Sequence, residues 1–406
     1  TVYGGAHLFS SDSARKLGEL ALRALQTYAS DPATLAEALG WGQGALAERV
    51  HGLVVDKLRR EPVEDFRLDF EDGYGNRPDE EEDSHARSSA GEVASGLEEG
   101  TLPPFIGIRV KPLTADLHRR GLRTLDLFLG ELLDRAGHLP DNFVVTLPKV
   151  QDPEQVAVFA EALAALEETL GLLEGAVPAE IMVETPQAII SPDGTTGVRR
   201  FIDAGAGRVI AAHFGTYDYT ASCQVTAAYQ SMTHPACDFA RHVLQVSLAG
   251  TGVWLSDGAT NVLPVPLHRG TDLTAEKLEE NRRTVHAAWR LHYSHVRHSL
   301  AHAYYQGWDL HPAQLPTRYA AVYAFFLEGL GLAGTRLRNF VAQAAQATLV
   351  GEVFDDAATG QGLLNYFLRA INCGATTEEE AVEMSGLTLD ELHSRSFLRI
   401  LEGRRV

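Results

Sequence analysis

Two carboxylates, Glu184 in AEIMVETPQAI and Asp218 in RVIAAHFGTYDYTAS, each end an apolar, β-rich run beside turn-forming residues. That is the pattern of a buried strand delivering a ligand to a loop. Two such acids on neighbouring parallel strands suffice for one hard divalent cation. Mg²⁺ takes one or two protein carboxylates and completes its octahedron with water and substrate oxygens, and Mn²⁺ suits the same oxygen ligands. An enzyme that uses such an ion is the leading expectation. Arg109 and Lys149 end two further runs and offer positive charge for an anionic substrate, while Glu71 and Asp72 end a fourth.

The elements that must position these residues are eight β-rich runs, near residues 1–9, 65–72, 104–110, 142–150, 180–186, 208–215, 252–257 and 307–315. Helical stretches separate them. Leu122, Leu125, Leu129 and Leu132 recur at three- and four-residue steps, as do Phe159, Leu163, Leu166 and Leu170, which predicts amphipathic crossover helices. This alternation, with no G-x-G-x-x-G after a strand, favours an α/β fold of the (β/α)₈ TIM-barrel kind over an open dinucleotide-binding sheet. In such a barrel the six charged residues above share the C-terminal face, where reaction sites are assembled. The span from about 10 to 60 reads as a helical insertion within a barrel domain covering 1–320, and residues 321–406 as a helical C-terminal extension.

At 406 residues, 45% hydrophobic and 22% charged, the chain can bury a large core, and no apolar run is long enough to span a bilayer. A formal charge of −19 opposes nucleic acid and acidic membranes as partners and leaves room only for a local basic pocket. The three cysteines, Cys223, Cys237 and Cys373, have neither metal-site nor disulfide spacing. With no secretory pattern in the first residues, they point to a reducing cytoplasm. The acidic cluster DEEED at 79–83 reads as a solvated loop, because consecutive acids repel rather than converge.

LDFEDGYG at 68–75, IRV at 108–110, TLPKV at 146–150, VETPQ at 183–187, FGTYD at 214–218 and LHPAQL at 310–315 occur in one order, with Ala86 and Arg87 as an A-R pair after the first. Together they resemble the CitE-like branch of the HpcH/HpaI aldolase and citrate lyase β-subunit superfamily. The insertion and extension mark this chain as a divergent member. The resemblance implies a phosphoenolpyruvate/pyruvate-binding type of barrel, Glu184 and Asp218 on Mg²⁺, and Arg109 on a substrate carbonyl or carboxylate oxygen. Glu71 and Asp72 would orient Arg109 or metal-bound water, and Lys149 would meet an anionic substrate or balance the acids. It also implies a C-terminal proton carrier, for which Asp355 or Asp356 in GEVFDDAATGQG is the counterpart. Lys111 stands where the family's arginine strand usually has asparagine.

The implied activity is Mg²⁺-dependent carbon–carbon cleavage or condensation through a metal-stabilised enolate. Its substrate would be a 2-oxo acid, a hydroxy acid or a 3-hydroxyacyl-CoA thioester, and the enzyme a homo-oligomer. Coenzyme A itself has no obvious cradle in the sequence. Phosphoenolpyruvate chemistry on the same groups, and a noncatalytic barrel within a larger lyase complex, are the alternatives. His213, just before the end of the Asp218 strand, is either an acid–base group or a core histidine. His292, His295, His298 and His302 fall on one helical stripe whose spacing suits zinc or copper, but an outer-layer helix makes a solvated or interface face the expectation. The tail 376–395 has a helix-turn-helix-like core, yet six acids and one arginine give it a charge of −5, and Thr377 with Glu380 predicts a capping box on a helical hairpin.

Overall fold

The computed structural model describes residues 1–42, 44–342, 348–350, 353–355 and 357–404. Eight parallel strands follow one another in chain order: β1 (Val2–Gly5), β2 (Asp65–Asp69), β3 (Phe105–Arg109), β4 (Phe143–Leu147), β5 (Ala179–Val183), β6 (Val209–Phe214), β7 (Trp254–Ala259) and β8 (Gln306–Trp308). Just past β8, Asp309 bridges Val2 in parallel, and its N–H donates to the Thr1 carbonyl at 3.0 Å, so the sheet closes on itself. The fold is the expected (β/α)₈ barrel with helices between its strands.

Period-2 alternation sorts side chains between the two barrel faces. In β2, Phe66 and the following Phe70 pack outward on Phe9 and Phe128. Asp65, Arg67 and Asp69 alternate with them and are buried in the interior. There Arg67 pairs with Asp65 and reaches Glu180 of β5 at 3.7 Å. Thr146 and Tyr3 donate to the same Glu180 carboxylate at 2.8 and 3.2 Å. The barrel interior is therefore an ionic layer rather than an apolar plug, with Arg67 Nε and both His213 ring nitrogens left without a hydrogen bond among the described residues.

The leucine-patterned crossovers are helices His118–Ala136 and Pro153–Leu170, which bury Leu125, Leu129, Leu132, Phe159 and Leu163. Asp152 caps the second, and Gly171, at φ 70°, ends it in the left-handed conformation. The acidic run 79–83 is a helix start, not a loop: it opens helix Asp79–Glu99 behind Pro78, where acids complement the helix dipole. Glu82 is fully buried against Lys111 at 3.0 Å and Arg120 at 3.4 Å, and Asp83 pairs with Arg120 and Arg123.

The chain groups into two compact units. One comprises residues 1–24 and 58–315, the other 25–57 and 316–406. Within the second, Arg49 of the insertion pairs with Glu380 at 2.6 Å and donates to the Ala375 carbonyl at 3.2 Å, and Lys57 lies 5.3 Å from the Tyr319 ring centre. This unit carries the helical C-terminal part and a small antiparallel pair, Thr348–Val350 with Val353–Asp355. The expected capping box at Thr377 and Glu380 is present, and Thr388 with Glu391 forms a second. Among the described residues no helix is long and apolar enough to cross a membrane.

Candidate active site

The site is assembled at the C-terminal ends of β2 to β6. Arg109, the last residue of β3, is 1% exposed. Its Nε and Nη2 donate to the two carboxylate oxygens of Asp69 at 2.8 and 2.5 Å, a bidentate pair. Burial opposes its charge, but Asp69 and Glu71 outweigh burial and hold the guanidinium well above its ordinary range. The rings of Tyr3 and Trp308 flank it at 4.8 and 5.5 Å. The planar fork expected to meet a substrate carboxylate is thus occupied by Asp69. Nη1 turns to the mouth, 3.3 Å from Glu71 and 4.0 Å from Asp72, and donates to Met182 Sδ at 3.3 Å.

Asp69 is the residue that sequence reasoning missed. It also accepts from the backbone N–H groups of Glu71 at 2.9 Å and Gly73 at 2.7 Å, so one carboxylate fixes both Arg109 and the loop bearing the mouth acids. A Cβ at Gly73 would stand 2.6 Å from Asp69 Oδ2, which requires glycine there. The signal was the alternation Asp65, Arg67, Asp69 in an otherwise aromatic and aliphatic strand, the mark of an inward polar face.

Lys149 follows β4 with φ 53°, a left-handed conformation that a lysine adopts only when its surroundings impose it. The twist points its N–H at Glu184 Oε1, at 2.6 Å, and its ammonium at Glu71, at Asp72 (3.1 Å) and at Asp218 (3.8 Å). Burial opposes the Lys149 charge, yet these acids hold its pKa well above the usual value. Burial raises Glu71, whereas Lys149 and Arg109 overcome burial to lower Asp72.

Glu184 follows β5 and is 1% exposed, and burial and then the Asp218 charge push its pKa up to about 8. A Cβ at Gly215 would lie 2.6 Å from Glu184 Cβ and 2.7 Å from Oε2, so only glycine lets β6 end so close to this carboxyl. Asp218 stands past the end of β6, in the first turn of the short helix Thr216–Ser222, with its carboxylate half exposed. The structure therefore brings Glu71, Asp72, Arg109, Lys149, Glu184 and Asp218 to one mouth. It does not bring Arg87 there: that side chain faces Glu131 at 3.7 Å, between helices Asp79–Glu99 and His118–Ala136. Lys111 is buried under the same loop, donating to the Phe70 carbonyl at 2.7 Å.

His213 lies inside the barrel, fully buried between the Tyr3 and Trp308 rings at 5.7 and 5.6 Å, and neither ring nitrogen has a hydrogen-bond partner among the described residues. Burial, reinforced by positive charges including Arg67 and Arg109, lowers its pKa to about 3, so it stays neutral. Asp355 ends the second strand of the small antiparallel pair, in the second unit. Asp356 lies outside the described residues.

Solved structures with this architecture include a citrate lyase from Burkholderia xenovorans LB400, at TM-score 0.58 and 20% identity, over 84% of this chain and 94% of that one. A Haloferax volcanii malate synthase, solved as a lead(II) complex, aligns at 0.47 and 15%, over 89% and 92%. CitE from Mycobacterium tuberculosis, in complex with magnesium, acetoacetate and coenzyme A, aligns at 0.48 and 16%, over 79% and 95%. At 20% identity the likeness to the citrate lyase is one of fold. No curated protein matches the sequence. The family model of DUF6986, a domain of unknown function, matches residues 1–400, and the chain belongs to that family.

Proposed function

We propose that this protein is a Mg²⁺-dependent enzyme that breaks or forms a carbon–carbon bond beside a carbonyl group, acting on a 2-oxo acid, a hydroxy acid or a 3-hydroxyacyl-CoA thioester. The observation that carries this reading is the Glu184 carboxyl. Buried beside Asp218 and raised to about 8, it is an oxygen donor whose negative form lacks sufficient positive partners. Glu184 and Asp218 fit a hard divalent cation by donor type, and they would hold Mg²⁺ or Mn²⁺. Bound there, the ion would supply a Lewis acid for a substrate carbonyl oxygen.

The rest of the work falls to the chain's own residues. Arg109 Nη1, fixed from behind by Asp69, is placed to donate to one substrate oxygen as that oxygen gains enolate charge. A donor held by a buried bidentate pair needs no reorganisation during the reaction. Lys149 sits among three acids and is placed to receive a substrate carboxylate, while Glu71 and Asp72 hold its ammonium in position. Asp355 or Asp356 is proposed as the proton carrier.

A thioester substrate is favoured by one further feature. The segments after β2 and β3 form a pocket of about 410 Å³ lined by five cations, Arg77, Lys111, Arg119, Arg120 and Arg123, and three acids, Asp79, Glu82 and Asp116, on a chain of charge −19. Arg119 is exposed and has no ion pair among the described residues, leaving it available to phosphate.

Calorimetric titration of metal-free protein with Mg²⁺ and then pyruvate, oxaloacetate or acetyl-CoA tests the proposal, with Glu184→Gln and Asp218→Asn as comparisons. Metal-dependent binding that both substitutions abolish is expected, with acetyl-CoA alone weakened by Arg119→Ala. Binding that survives both acid substitutions would remove the two-carboxylate site.

A further inference from the structure

The outer helices of the barrel unit bring together another set of donors, later in the chain than the mouth residues. Helix Pro235–Leu248, between β6 and β7, carries Asp238 and His242 one turn apart. Helix Ala275–Ala301, between β7 and β8, carries His298 in its last turn and ends on His302. Asp238, His298 and His302 each offer one ligand atom within 4.8 Å of the others. Ligands of a tetrahedral zinc, each about 2.0–2.2 Å from the ion, lie roughly 3.4 Å apart, so small side-chain rotations close the set. The sequence placed His292, His295, His298 and His302 on one helical stripe facing solvent or an interface. Instead His292 and His295 are buried against Asp309 and Thr260, and only His298 and His302 reach the partly open rim.

What surrounds these three residues is the support a metal site has. Asp238 Oδ1 accepts from Arg241 Nη1 at 2.7 Å, and Arg241 is clamped through Nε by both oxygens of Asp257 at 3.0 and 2.9 Å. Ser299 donates to Asp257 at 2.6 Å, tying the same network to the second helix. His298 Nε2 meets that same Oδ1 at 2.7 Å, and Asp238 Oδ2 has no partner among the described residues. His302 Nδ1 lies 2.8 Å from the His298 carbonyl, the contact that fixes a ligating imidazole's tautomer and leaves Nε2 for an ion. His242 is exposed, its ring centre 5.6 Å from that of His302. Two imidazoles and one carboxylate suit a borderline cation such as Zn²⁺ and not Mg²⁺, the reverse of the mouth's oxygen donors.

We propose that Asp238, His298 and His302 form a second metal site, selective for Zn²⁺, that clamps helix Pro235–Leu248 to the end of helix Ala275–Ala301, with His242 or water completing the tetrahedron. The test is titration of the full chain with Zn²⁺ against a chromogenic chelator, in excess Mg²⁺ so that the mouth is filled. One equivalent is expected. The double variant His298→Ala, His302→Ala lowers its affinity by about 100-fold or more, while Glu184→Gln with Asp218→Asn leaves it in place. Zn²⁺ raises the Tm of the parent and not of the double variant, and Co²⁺ at the site shows the visible absorption of a tetrahedral ion. His302→Gln, at the accessible helix end, serves the same comparison should the double variant not fold. The proposal is overturned if the parent binds no Zn²⁺, if both histidine variants bind it as the parent does, or if the ion is lost with Glu184 and Asp218 instead.

Discussion

Single atoms at the mouth decide what this site can do. Gly215 is the sharpest case: a methyl group there would sit 2.7 Å from Glu184 Oε2, against a carboxyl already confined by the Lys149 N–H. Gly215→Ala is expected to leave the barrel folded and to weaken Mg²⁺ binding by about 10- to 100-fold, the usual cost of disturbing the groups that orient a metal ligand. Isothermal titration reads this directly, and unchanged affinity would mean that Glu184 is not a ligand. Asp69 makes the complementary case. Asp69→Asn leaves the Arg109 guanidinium buried opposite a neutral amide, which costs about 3–5 kcal/mol when a buried pair is broken from one side. Urea unfolding measures that loss, and a change below about 1 kcal/mol would show that Glu71 and Asp72 suffice to hold Arg109.

At the scale of strands and helices, the β2 strand shows how much was legible and why the rest was not. Its apolar residues announced a strand, and its terminal Glu71 and Asp72 announced a mouth. The same logic located β3 to β6 and the charged residues at their ends. The partners of those residues stayed hidden, because pairing runs between strands distant in sequence: Arg67 of β2 meets Glu180 of β5, and Arg109 of β3 meets Asp69 of β2. Alternation shows which residues face inward but not whom they meet. The acidic run 79–83 was misread for a related reason. Only Glu82 of the run is buried, and its burial depends on Lys111 and Arg120, contributed from beyond the next strand. The ionic layer makes its own prediction. Arg67→Met strands Asp65 and Glu180 in the barrel and destabilises by about 3–5 kcal/mol, whereas adding Asp65→Asn and Glu180→Gln recovers most of that. Chemical denaturation of the single and triple variants separates the outcomes, and a triple variant as unstable as the single would point to lost packing instead.

For the molecule as a whole, the charged barrel interior sets how stability responds to acid. His213 is enclosed there with Tyr3, near Arg67 and Arg109, whose charges disfavour its protonation, while Asp257 favours it. Its folded pKa of about 3 lies below the ordinary histidine value, about 6.5 in an unfolded chain. Between those values the unfolded chain binds the proton and the folded one does not, so stability rises with pH across that window. The contribution is complete above about pH 6.5 and is lost as pH falls, by up to about 1.4 kcal/mol per unit. His213→Leu removes the titration and also two buried nitrogens without partners, and so is expected to be neutral or stabilising at pH 7. Melting curves from pH 7 to pH 5 test it: the parent loses stability more steeply than the variant. Parallel slopes would mean that His213 keeps its proton equilibrium on folding, and that another group carries the acid sensitivity of this barrel.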